Sequence, residues 1–153
     1  MTTTEPLDTP DYPAELPLAP WNIPAHATTA RVVVPGSKSL TNRALIVAAL
    51  ADGPSRLTGA LDSDDTRVMV EALGKLGVAI HHDHASATIQ LTGCRGTVPA
   101  QEADLHLANS GTSLRFLTAM VATGRGRYRL DGSARMRQRP VGDLLFALNR
   151  LGA

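Results

Sequence analysis

From residue 30 onward, apolar and polar positions alternate between two kinds of short block. The β-branched run Val32-Val33-Val34 predicts a strand over 30–34. Alanine and leucine then recur through 40–51, the signature of a helix. Residues 55–60 form a short strand signal bounded by Gly53-Pro54 and Gly59. Val68, Met69, Ala72, Leu73 and Leu76 share one face of a helix over 66–76. The capping run Asp62-Ser63-Asp64-Asp65 opens that helix and Gly77 closes it. Residues 78–81 and 87–91 read as hairpin strands around His82-Asp83-His84-Ala85-Ser86. The order is β-α-β-α-β-β. It then restarts, with a strand over 104–107 and a helix from Ser110-Gly111-Thr112-Ser113 through Val121. A strand over 127–130 and a helix over 140–151 follow, with Pro140 in the first turn and Gly152 at the end.

The two halves align by position. Arg43 corresponds to Arg115, Gly53 to Gly124, Gly59 to Gly132, and Leu76-Gly77 to Leu151-Gly152. Four landmarks in order imply an internal repeat of about 72 residues. The predicted organisation is an extended lead-in over 1–29, a first unit over 30–103 and a second, truncated unit over 104–153. The second unit stops before its hairpin, so the chain reads as the front piece of something longer.

Composition sharpens this picture in three places. Residues 1–28 hold six of the ten prolines, a spacing that blocks helices and interior strands. A loose tail is the expectation there, although Tyr12, Leu16, Leu18 and Trp21 could dock on the body. Hydrophobic residues make up 43% of the chain but aromatics only 3%, so the core must be built from Ala, Val, Leu and Ile. Charge is uneven: all fifteen Lys and Arg follow residue 30, against ten acidic residues there. That bias favours anionic ligands but is too dispersed, with too few aromatics, for nucleic acid. No apolar run is long enough to span a membrane. Cys94 is the single cysteine, so a reducing compartment is expected, and the N-terminus has neither secretory nor transit character. The expected location is cytoplasmic.

Candidate chemistry centres on Pro35-Gly36-Ser37-Lys38-Ser39-Leu40-Thr41-Asn42-Arg43. A helix start leaves backbone N–H groups unpaired and carries partial positive charge, so it seats anions. Lys38 and Arg43 add cations, and Ser37, Ser39 and Thr41 add hydroxyls. An ordinary helix start capped by Ser39 or Thr41, with solvated charges, explains the same residues. A nucleotide P-loop does not fit, because Ser37 separates Gly36 from Lys38. Arg135, Arg137 and Arg139 lie on a predicted loop before a helix, which suits a carboxylate or phosphate clamp. Asn109-Ser110-Gly111-Thr112 offers an amide, hydroxyls and close backbone approach, or simply a capped helix. His81, His82 and His84 lie across a hairpin tip with no carboxylate or cysteine cluster at ligand spacing, so solvent exposure rather than metal binding is expected. Capping explains Asp64 and Asp65 without Mg²⁺, Cys94 reads as structural, and no nucleophile elbow is present.

Four of these motifs together resemble the 5-enolpyruvylshikimate-3-phosphate synthase family. They are Pro35 to Arg43, Ser63-Asp64-Asp65-Thr66, Asn109 to Thr112 with Arg115, and Asp131 to Pro140 with its Arg-Met-Arg-x-Arg-Pro core. The resemblance covers residues 31–153. It implies an α/β (α+β) fold of repeated β-α-β-α-β-β units, an inverse α/β prism of the enolpyruvyl transferase kind, incomplete in this chain. It also implies transfer of the enolpyruvyl group of phosphoenolpyruvate to the 5-hydroxyl of shikimate 3-phosphate, with loss of phosphate and no cofactor or metal. Carried over by motif, Lys38, Ser39 and Arg43 are expected to hold shikimate 3-phosphate. Lys38, Asn109, Gly111, Thr112 and Arg135 are expected to hold phosphoenolpyruvate. Gly111 goes with binding of the inhibitor glyphosate in this family, while Ser110 and Phe116 depart from its usual residues. The groups that the family uses for proton transfer lie in a C-terminal portion beyond Ala153, so no catalytic residue is expected in this chain. An enolpyruvyl transferase acting on a UDP-sugar, and a non-catalytic split or assembly module, are the alternatives.

Overall fold

A computed structural model describes Pro17 and residues 32–153. The lead-in over 1–29, apart from Pro17, lies outside the described residues, as do the docking side chains named for it and Ala30 and Arg31. The chain divides into Met1–Val33 and Val34–Ala153. In the first part Pro17, Val32 and Val33 are exposed. The strand expected over 30–34 is absent where it is described: residues 32–34 join no ladder, and Val34 is exposed. β-branched residues favour extended backbone, but a strand also needs a partner edge.

The second part runs α1 (Lys38–Leu50), β1 (Asp52–Thr58), α2 (Asp64–Lys75), β2 (Ala79–Asp83), β3 (Thr88–Cys94), β4 (Glu102–His106), α3 (Gly111–Val121), β5 (Arg127–Asp131), α4 (Ala134–Arg137) and α5 (Gly142–Arg150). β3 lies between β1 and β2, antiparallel to both, with Arg56 opposite Gln90 and His81 opposite Gln90 on its other edge. β4 and β5 pair in parallel, as strands joined by a helical crossover do. Helices α1, α2 and α3 pack on one another and on the inner faces of these sheets. Leu45, Met69, Leu73, Leu76, Ile89, Leu105, Leu107, Leu117 and Met120 form the core between them, each at most 1% exposed. A buried leucine of this kind contributes about 1.5–3 kcal/mol. The aliphatic core expected from composition is therefore present.

Small residues let the layers close. A Cβ on Gly93 would meet the carbonyls of Ala48 and Ala51, so α1 lies directly against β3. A Cβ on Gly36 would strike the Gly59 carbonyl and come within 2.8 Å of the Leu61 nitrogen. The 59–61 segment is also fixed by the Leu61 N–H donating to Thr41 Oγ1 at 3.1 Å. Backbone cannot yield as a flexible side chain can. Gly36→Ala is accordingly expected to destabilise this chain by about 3 kcal/mol. Urea unfolding measures it, and an unshifted midpoint would show that the contact relaxes freely.

Three boundaries differ from the sequence reading. Ser37, not Ser39 or Thr41, caps α1, its hydroxyl accepting from the Leu40 N–H. Thr41 is instead buried. The arginine-rich loop contains a short helix, α4, capped by Ser133. The last helix starts at Gly142 rather than Pro140, and the Pro140 carbonyl accepts from Arg115 at 2.6 Å. α5 buries no residue and exposes Leu145 and Phe146. No helix of the described residues is long and apolar enough to cross a membrane.

Candidate functional site

The helix starts meet because of where the strands end. β4 and β5 run in parallel, so α3 and α4 both begin at the same carboxyl edge. The pairing continues past the strands: Leu107 N–H donates to the Asp131 carbonyl and Ser133 N–H to the Ala108 carbonyl, both at 2.7 Å. Ligands favour this edge in α/β proteins. Ser110 caps α3, and its hydroxyl lies 2.7 Å from that of Ser113; both residues are buried. Ser113 Oγ donates onward to the Asp65 carbonyl in the first turn of α2, at 3.4 Å. Lys38 reaches that same turn from α1, its ammonium 2.8 Å from Asp65 Oδ2. The first turns of α1 and α3 thus converge on the first turn of α2.

Lys38 and Asp65 are 54% and 23% exposed. A pair this open contributes no more than about 1 kcal/mol. Lys38 is therefore held in place without being committed to its partner.

Around α3, Gly111 and Thr112 line a cleft of about 260 Å³ with Leu114, Arg115, Arg139 and Pro140. A Cβ on Gly111 would collide with the Arg139 guanidinium, so the glycine admits that group to the helix start. Arg139 also donates to Asn109 Oδ1 at 3.3 Å. Arg135 is exposed on α4 and forms no ion pair among the described residues. Arg137 is removed from the predicted clamp. It donates two bonds of 2.8 Å to Asp131. Those bonds, with the Gly132 N–H, hold the Asp131 carboxyl well below the usual carboxylate range. Asp62 and Arg67 repeat this arrangement before α2, with bonds of 2.7 and 2.8 Å. Each fork thus stands beside a serine that caps a helix, Ser63 for α2 and Ser133 for α4.

Ser39 and Arg43 lie exposed on α1, away from the face that buries Asn42 and Leu45. Ser39 belongs to the first turn of α1, but neither it nor Arg43 has a side-chain bond to the first turns of α2 or α3 among the described residues. Asn42, singled out only as part of a motif, is fully buried, and neither of its amide atoms has a partner among the described residues. A buried amide left unpaired costs about 1–3 kcal/mol. No sequence signal distinguished it from its exposed neighbours. A hollow of about 600 Å³ lies on the outer face of the three-stranded sheet, lined by Pro54, Arg56, His81 and Gln90 among others. It contains none of the candidate residues.

The expected solvent exposure holds for His84, while His82 is half-buried, and the fold brings Asp62 to the run, with Oδ2 2.9 Å from His84 Nδ1. Asp62 lies in the turn before α2, a helix and a strand away from His84 in sequence, so no local spacing reveals the contact. His81, on the opposite face of β2, is exposed as expected.

A family model described as EPSP synthase (3-phosphoshikimate 1-carboxyvinyltransferase) matches residues 24–153. A 3-phosphoshikimate 1-carboxyvinyltransferase of Burkholderia cenocepacia is 50% identical over 130 residues, which are 85% of this chain and 30% of the relative. The protein of that name from Nostoc punctiforme is 50% identical over 147 residues, 96% of this chain and 32% of the relative. An EPSP synthase structure from Acinetobacter baumannii superposes with a TM-score of 0.72 at 29% identity, covering 80% of this chain and 27% of the other. This chain therefore spans about a third of the length of the curated relatives it matches.

Proposed function

This chain belongs to the EPSP synthase (3-phosphoshikimate 1-carboxyvinyltransferase) family, and from that membership we propose that its converging helix starts seat the two anionic substrates of enolpyruvyl transfer. The substrates are phosphoenolpyruvate and shikimate 3-phosphate. The observation that carries the reading is the meeting of Lys38 with the first turn of α2, which also receives Ser113 from the start of α3.

The chemical problem is repulsion. Two unit charges about 4 Å apart at an effective dielectric of about 20 repel by about 4 kcal/mol. Each substrate carries a phosphate and a carboxylate. Cations and oriented N–H groups fixed in advance offset that repulsion and hold the reacting atoms in attacking geometry. Lys38 sits between the seats and serves both substrates. Ser39 and Arg43 hold shikimate 3-phosphate, while Asn109, Gly111, Thr112 and Arg135 hold phosphoenolpyruvate. Glyphosate, an anion of similar charge, occupies the second seat. The shikimate 5-hydroxyl oxygen adds to the enol carbon, giving a tetrahedral intermediate from which phosphate departs. The groups that move protons in these steps come from the portion of the relatives that this chain does not span. The division of the chain between residues 103 and 104 belongs to the same proposal.

The 153-residue chain alone is expected to show no turnover and only weak substrate binding. Steady phosphate release from the purified chain would overturn this. Titration of a full-length enzyme with shikimate 3-phosphate, against a UDP-sugar, tests the substrate assignment: saturable binding of the first and none of the second is expected.

A further inference from the structure

We infer that Asp62, His82 and His84 form a binding site for a divalent transition metal of the zinc, nickel or copper type, outside the proposed substrate seats. One ligand atom from each residue lies within 4.8 Å of the other two. The two imidazoles face each other with centroids 3.9 Å apart and planes inclined by 38°. His82 Nε2 is shielded from solvent and has no hydrogen-bond partner among the described residues. The three residues share a hollow of about 530 Å³ with Arg67, Val70 and Glu71.

The backbone explains the convergence. His82 lies in β2 and His84 in the first position of the turn after it, and their rings are brought face to face there. His81 leaves the face of β2 opposite His82. Asp62 enters from the turn before α2, where Arg67 grips both of its oxygens. His84 Nδ1 and the Asp62 carboxylate are already 2.9 Å apart, and His82 Nε2 is the unpartnered nitrogen beside them. Two imidazoles and a carboxylate suit zinc, nickel and copper rather than magnesium.

On binding, the ion replaces the proton between His84 Nδ1 and Asp62 Oδ2, and that proton leaves to solvent. Ligand atoms around tetrahedral zinc are about 3.4 Å apart, so His84 Nδ1 and Asp62 Oδ2, now 2.9 Å apart, must open slightly, while a ligand atom as far off as 4.8 Å must close by roughly 1 Å. Arg67 orients the carboxylate from behind, as outer partners of metal ligands do, but its charge weakens the site. Weaker binding than that of closed four-ligand structural sites follows. The bound ion ties the β2–β3 hairpin to the turn that ends at Asp65, the partner of Lys38.

Calorimetric titration of the 153-residue chain with zinc chloride at neutral pH is expected to give one site per chain. His82→Gln and His84→Gln should each weaken it at least tenfold, and His81→Gln should leave it unchanged. Because a substitution can disturb the hairpin, the unsubstituted chain is also titrated with substoichiometric Cu²⁺ and observed by NMR. Selective broadening of the His82 and His84 ring signals, with those of His81 and His106 sharp, supports the site. Millimolar binding, equal affinity in the His82 and His84 variants, or equal broadening of His81 would overturn it.

Discussion

Lys38→Ala, made in an enzyme of the relatives' full length, is expected to lower kcat/KM by about 10³-fold, or about 4 kcal/mol. Lys38 stands at the first position of α1 and reaches across to the first turn of α2. It therefore adds a full charge where the helix dipoles of both starts already favour anions. Its loss removes a charge that both substrates use, so kcat and KM should both worsen. Stability should barely change, because the half-exposed pair with Asp65 contributes no more than about 1 kcal/mol. Urea unfolding and steady-state kinetics on the same variant separate the two effects. A large stability loss with little kinetic change would make Lys38 a brace for α2 rather than a ligand.

Arg135→Ala in the same enzyme is expected to weaken use of phosphoenolpyruvate by about 2–4 kcal/mol of transition-state contact. Three arginines cluster on and beside α4, and the structure gives them different surroundings. Arg137 is bound to Asp131 by two bonds, and Arg139 lies against Asn109 and Gly111. Arg135 is exposed at the start of the same short helix. Only a group not already spent on its own chain can grip a carboxylate or phosphate with both arms of its fork. The phosphoenolpyruvate dependence should shift while that of shikimate 3-phosphate stays near its original value. Unchanged kinetics would move the clamp role to Arg139.

Much of the architecture is legible because it is local. The periodic face of 66–76 became α2, the hairpin over 78–91 became β2 and β3, and the serine and glycine signals marked helix ends. Both Gly77 and Gly152 adopt positive φ, +89° and +91°, just past α2 and α5, as a repeated stop signal requires. The misread elements each involve a partner distant in sequence. The 32–34 run has the composition of a strand and no ladder. Pro140 has the right residue type for a first turn, but its carbonyl is claimed by Arg115 from another helix.

The chain by itself determined its motifs, their order and their repeat, because capping, periodicity and turn chemistry act over a few residues. Those motifs alone resemble the enolpyruvyl transferase family closely enough to point to it. Tertiary structure alone decided which cations stand together. It set Lys38 beside Asp65, bound Arg137 to Asp131, brought Arg139 to Gly111 and drew Asp62 to His84. Those partners meet because two sheets fold their strand ends onto a shared layer of helices. Such proximity depends on packing and register between separated segments, which short-range sequence pattern does not encode.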